Sequence, residues 1–142
     1  MATVRIARTN WDGDLQSGKG TVHFESSGLP ETEVTWVARS QEPNGKTSPE
    51  ELIAAAHSAC FSMALSAGLA KAGNPPESLD TKAEVTFDPA AGGITGIHLT
   101  VHGKVPGISA ADFLNATETA KATCPVSKAL AATTITLQAV LD

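Results

Sequence analysis

An α+β domain with a largely antiparallel sheet is the fold class this sequence predicts. Three observations point to it. Period-2 alternation dominates the chain up to Ala38 and returns over 79–105. A long apolar run with a strong helix start, from Ser48, lies between those stretches. A Gly/Pro-rich break, Pro89-Ala90-Ala91-Gly92-Gly93, joins two alternating segments as a hairpin.

The elements follow in order. Residues 3–11 alternate from Val4 and Ile6 to Trp11, and Asp12-Gly13-Asp14 turns the chain. Residues 19–27 alternate through Val22 and Phe24 until Ser27-Gly28-Leu29-Pro30 breaks the run. Val34, Trp36 and Ala38 predict a third strand, with Arg39 at its end and residues 40–47 as a loop. Ser48 as N-cap, Pro49 at N1 and Glu51 at N3 make a capping box. The helix it opens runs to about Ala72, where Gly73-Asn74-Pro75-Pro76 stops it. Leu52, Ile53, Ala56, Cys60, Met63 and Ala64 recur on it at helical spacing. Strands follow over 79–88 and 94–105. Ser109 caps a second helix ending near Thr123, with Phe113, Leu114, Ala116, Thr117 and Ala120 as inward positions. Cys124-Pro125 starts a short third helix to about Ala131, and residues 134–141 close the chain as a strand.

Bulk properties bound the function. The 142 residues suit one domain, 1–142, with one core. The net charge is -5 without a Lys/Arg run, which argues against nucleic acid as a partner. No stretch reads as a membrane span and the N-terminus lacks a secretory h-region, so the expected location is cytoplasmic. Two cysteines in that compartment point to redox chemistry more than to a permanent staple. There is no metal-ligand spacing, no phosphate loop and no nucleophile elbow, so neither metal nor cofactor is expected.

Cys60 is either an inert core thiol or a nucleophile. It lies about three turns into its helix, too far for the N-terminal dipole to acidify it. If it reacts, another group such as a guanidinium must lower its pKa. Cys124 sits better, at the N-cap of the next helix. Glu51 has a capping role, which leaves Glu50 the freer carboxylate. His57 is a helical neighbour of Cys60, but no Asn or Asp completes a protease-like set, and it reads as packing or interface polarity. Trp11 and Trp36 read as packing.

The run from Ser48 to Leu65, with Ala55-Ala56-His57 before Ser58-Ala59-Cys60-Phe61, resembles the signature helix of the osmotically inducible protein C / organic hydroperoxide resistance family. Cys124-Pro125-Val126-Ser127 and the closing strand resemble that family's second-cysteine segment. The likeness covers essentially the whole chain and favours the osmotically inducible branch. It implies an intertwined homodimer with a long central helix and shared active sites. It also implies Cys60 as the peroxidatic thiol, Cys124 as the resolving thiol, and Glu50 with Arg39 as the activating pair. Arg8 is the alternative arginine, as in the hydroperoxide-resistance branch. The implied substrate is an organic hydroperoxide, met by an apolar wall of Leu52, Ile53, Phe61 and Met63. The implied reductant is a small dithiol or a lipoyl-bearing protein. Glu50 and Cys60 are ten helical residues apart, about 15 Å along the axis. The activating arm must therefore reach the thiol through a helix bend or from a partner subunit. Two other readings stand beside this one. A general thiol-disulfide oxidoreductase is disfavoured by cysteines 64 positions apart rather than in Cys-x-x-Cys. A non-catalytic binding or structural domain would keep Cys60 inert.

Overall fold

The computed structural model describes all 142 residues, with the element order β1 (Arg8–Asp12), β2 (Lys19–His23), β3 (Thr32–Val34), α1 (Trp36–Ser40), α2 (Pro49–Lys71), β4 (Ser78–Asp88), β5 (Gly93–Lys104), α3 (Ala110–Thr123), α4 (Pro125–Ala129) and β6 (Ile135–Leu141). The chain divides into two units, Met1–Leu52 and Ile53–Asp142.

In the first unit β1, β2 and β3 form an antiparallel sheet in that order. Two expectations are corrected here. The first strand starts only at Arg8, and Val4 and Ile6 are exposed. The third strand stops at Val34, and Trp36, Ala38 and Arg39 belong to the short helix α1. The reason is local: the Thr35 hydroxyl accepts the Ala38 N–H at 3.1 Å, an N-cap bond that ends the extended run.

The helix start at Ser48 is as expected. Ser48 Oγ accepts the Glu51 N–H at 3.2 Å. Only half of the capping box forms, because the Glu51 carboxylate turns to the Thr47 hydroxyl at 2.5 Å.

In the second unit β4 and β5 pair antiparallel, with a bulge at Thr86/Phe87, and β6 joins β5 in parallel. The sheet is thus antiparallel except for its closing strand. Phe61, Leu65 and Leu69 from α2 meet Ile97, Leu99 and Val101 from β5 and Phe113 and Ala120 from α3 in one apolar core. Gly103 makes room for α3: a Cβ there would lie 2.6 Å from the Phe113 ring.

The buried face of α2 differs from the expected one. His57, Phe61, Leu65 and Leu69 face inward at i+4 spacing, Cys60 is half-buried, and Ala56 and Met63 are exposed. An Ala-rich helix that is apolar nearly all round gives periodicity little to resolve. Leu114 is likewise exposed, whereas Phe113, Thr117 and Ala120 are buried. Contrary to the sequence expectation, α2 is long and apolar enough to cross a membrane by length and composition alone, with a window of mean hydropathy 1.5. Its Phe61, Leu65 and Leu69 are core residues of the second unit.

Candidate active site: a thiol pair and an arginine–glutamate pair

Cys60 projects from the middle of α2, and Cys124 is at once the C-cap of α3 and the N-cap of α4. The fold brings these distant positions together. The thiols are free and close enough for each to bear on the other's ionisation.

The two sulfurs are not equivalent. Burial pushes the Cys60 thiol up, and the neighbouring Cys124 sulfur pushes it further, against an opposing effect of the Val126 N–H. Burial also raises the fully buried Cys124, but donors around it win and hold it below its usual value. Those donors are concrete. The Ser127 N–H donates to Cys124 Sγ at 3.3 Å, and the Ser127 hydroxyl lies 3.3 Å from the same sulfur. Ser127 is at N3 of α4, where an N-cap side chain finds its donor, so Cys124-Pro125-x-Ser127 is self-organising.

His57 does not pair with Cys60. Its Nε2 lies 2.7 Å from Ser127 Oγ, and the ring is fully buried with Nδ1 unpartnered. Burial pushes the imidazole below its usual value of 6.5. The link between His57 and Ser127 spans 70 positions and was not readable from the sequence.

In the first unit Arg39 and Glu50 form an ion pair. Arg39 Nε donates to Glu50 Oε1 at 3.0 Å and to Oε2 at 3.2 Å, and Nη2 donates to Oε1 at 2.8 Å. This is the two-pronged grip of a guanidinium on a carboxylate. The Glu50 side chain is 8% exposed and that of Arg39 31%. Arg8 is engaged differently: its Nε meets Glu25 Oε1 at 2.8 Å on the surface, and it also bonds Asn10. Beside Arg39 lies an apolar pocket of about 360 Å³, walled by Trp11, Val22, Val34, Trp36 and Leu52. Both tryptophans are therefore pocket walls. Of the apolar wall expected from the sequence, Leu52 lines this pocket, Phe61 is core, and Met63 faces solvent.

The family model described as OsmC-like protein matches residues 42–138. The chain belongs to the OsmC-like family. It is 47% identical over 134 residues to the peroxiredoxin OsmC of Escherichia coli (strain K12), covering 93% of each chain. Its fold matches that of an organic hydroperoxide resistance protein from Elizabethkingia anophelis, with TM-score 0.68 and 25% identity over 100% of this chain and 99% of the other. An OsmC-like protein of unknown function from Vibrio cholerae shares the fold at TM-score 0.76 and 17% identity, over 98% of this chain and 100% of that one.

Proposed function

We propose that the protein is a thiol-dependent peroxidase that reduces organic hydroperoxides to alcohols. The observation that carries this reading is the meeting of Cys60 and Cys124, distant in sequence, as free neighbouring thiols. The kinship with peroxiredoxin OsmC supports it.

In this reading the Cys60 thiolate attacks the distal oxygen of the hydroperoxide. The O–O bond breaks, the alkoxide leaves and takes a proton to become an alcohol, and Cys60 becomes a sulfenic acid. Cys124 then attacks the Cys60 sulfur, water leaves, and a disulfide forms. A dithiol, either a small molecule or a lipoyl group on a protein, restores both thiols by exchange. No cofactor is needed, because sulfur carries the electrons.

Cys60 needs help to ionise, since burial and its neighbour both oppose its charge. Arg39 is assigned that help, with Glu50 holding the guanidinium by its bidentate grip. Arg8 fits less well, being spent on the surface pair with Glu25. Arg39 also borders the apolar pocket, which suits the organic end of a hydroperoxide.

The reading includes one domain over residues 1–142, a cytoplasmic location and a homodimer in which Arg39 and Glu50 of one subunit serve Cys60 of the other. Two observations support the dimer. Glu50 and Cys60 both belong to the continuous helix α2. The ten residues between them amount to about 15 Å of helix axis. The helix also leaves an apolar stripe of Ala55, Ala59, Met63, Ala67 and Ala70 at its surface. Met63 in that stripe is 73% exposed, and a second copy would cover it.

Steady-state reduction of cumene hydroperoxide with dihydrolipoamide tests the activity. The wild type turns over, and Cys60→Ser abolishes turnover. Trp36→Ala should raise KM for cumene hydroperoxide more than for tert-butyl hydroperoxide, because the larger tail uses more of the pocket. Unchanged peroxide consumption in Cys60→Ser contradicts the reading.

A further inference from the structure

The peroxidase reading assigns no work to His57 or Ser127, yet both are buried and joined to Cys124. Nε2 of His57 lies 2.7 Å from Ser127 Oγ, and Ser127 Oγ lies 3.3 Å from Cys124 Sγ. A serine hydroxyl has one hydrogen to give, so the direction of this chain decides what it does.

The unpartnered Nδ1 fixes the direction. A buried N–H without an acceptor is rarer and costlier than a buried acceptor without a donor. This assigns the imidazole proton to Nε2, leaving Nδ1 with a lone pair. In that tautomer Nε2–H donates to Ser127 Oγ, which turns the hydroxyl hydrogen toward Cys124 Sγ. The Ser127 N–H donates to the same sulfur at 3.3 Å. Two donors thus converge on one sulfur, an arrangement that favours thiolate over thiol.

We propose that His57 and Ser127 are positioning residues that hold Cys124 as the ionised resolving nucleophile, His57 acting through the Ser127 hydroxyl. This rests on the peroxidase reading for its role in turnover, but not for the ionisation itself. The groups that bear directly on the Cys124 thiol are Cys60 of α2 and Val126 and Ser127 of α4, and His57 of α2 reaches it through Ser127. The lowered pKa of Cys124, which favours its thiolate, agrees with this arrangement.

The step balances without a further reactant. The Cys124 thiolate donates its electron pair to the Cys60 sulfur of the sulfenic acid, the S–S bond forms and the S–O bond breaks. Hydroxide leaves and becomes water with a proton from solvent. Charge leaves Cys124 in this step, so the Ser127 hydrogen bonds weaken as the disulfide closes. The chain thereby divides the labour between neighbouring thiols. Cys124 is ionised from within its own subunit, and Cys60 is left to the arginine.

The sequence contains no tyrosine, so thiolate absorbance in the far ultraviolet can be followed to high pH without tyrosinate beneath it. In a Cys60→Ser chain that absorbance reports Cys124 alone. Ser127→Ala in that background should raise the titration midpoint by about one pH unit, the worth of one charge-assisted hydrogen bond. His57→Leu should raise it by less. Ser127→Thr and His57→Gln, which each keep a donor in place, should restore most of the original midpoint. Circular dichroism confirms that the variants compared are folded. In the chain with both cysteines, Ser127→Ala should slow disulfide closure about ten-fold relative to peroxide loss, read by quenched flow and mass spectrometry after one equivalent of cumene hydroperoxide. A midpoint unmoved by both Ser127→Ala and His57→Leu overturns the proposal. Absence of any disulfide in the wild type instead overturns the peroxidase reading, and the thiolate titration still judges the hydrogen-bond chain.

Discussion

The Arg39–Glu50 pair should respond asymmetrically to loss of either partner. Three short bonds join the two side chains, but their surroundings differ. Glu50 is 8% exposed and Arg39 31%. Arg39→Met keeps most of the aliphatic stem and leaves a carboxylate nearly dry without its guanidinium, a change worth about 3–5 kcal/mol of stability. Glu50→Gln leaves the charge on the partner with access to water, and an amide oxygen still accepts from it. That should cost about 1–2 kcal/mol. Arg39→Met with Glu50→Leu removes both charges and should cost less than Arg39→Met alone. Urea denaturation followed by far-UV circular dichroism, at one fixed protein concentration, measures these chains against the wild type. Adding Glu50→Leu alone closes the double-mutant cycle. If Glu50→Gln costs as much as Arg39→Met, burial of the carboxylate is not what dominates. If both costs lie within about 0.5 kcal/mol of zero, the pair behaves as a surface salt bridge and the reasoning fails.

Other consequences can be measured alongside. Gly103→Ala drives a methyl group to 2.6 Å from the Phe113 ring. It should destabilise the chain by about 1–3 kcal/mol in the same denaturation assay. Burial depresses His57 below 6.5, so between 6.5 and the lower folded value the unfolded chain binds a proton that the folded chain does not. Stability should therefore be present above about pH 6.5 and decline as pH falls below it. His57→Gln should flatten that slope in urea midpoints taken across pH. Met63→Glu places a charge in the exposed apolar stripe of α2 and should shift the proposed dimer toward monomer in sedimentation velocity. A wild type already monomeric at micromolar concentration sinks the shared-site proposal.

Much of this arrangement was legible in the residues, and the failures have physical causes. Ser48-Pro49-x-Glu51, Ser109 and Cys124-Pro125 each announce a helix start through a local bond, and each start lies where the sequence predicted it. The β4–β5 hairpin alternates between a more buried and a more exposed face, so both strands and their turn were readable, whereas the bulge at Thr86/Phe87 was not. Thr35 is also a capping residue, but the alternation of Val34, Trp36 and Ala38 mimicked a strand across it. The inward face of α2 was misread because alanine fills nearly every side of the helix, and only Phe61, Leu65 and Leu69 are bulky enough to mark the core. The parallel pairing of β6 and the contact of His57 with Ser127 depend on chain crossings that no local pattern encodes. At the site, the residues named from the family likeness fall into two groups, Cys60 with Cys124 and Arg39 with Glu50. The likeness was silent about the Ser127 donors that make Cys124 the more acidic of the two sulfurs.

The central claim is that Cys60 and Cys124 are one redox pair driven by an organic hydroperoxide. Treating the reduced protein with one equivalent of cumene hydroperoxide and mapping its peptides by mass spectrometry under non-reducing conditions tests this directly. The expected result is a Cys60–Cys124 disulfide, a loss of two hydrogens per chain and a sulfenic acid trapped at Cys60 in Cys124→Ser. Two free thiols after exposure, or oxidation trapped first at Cys124, would contradict it.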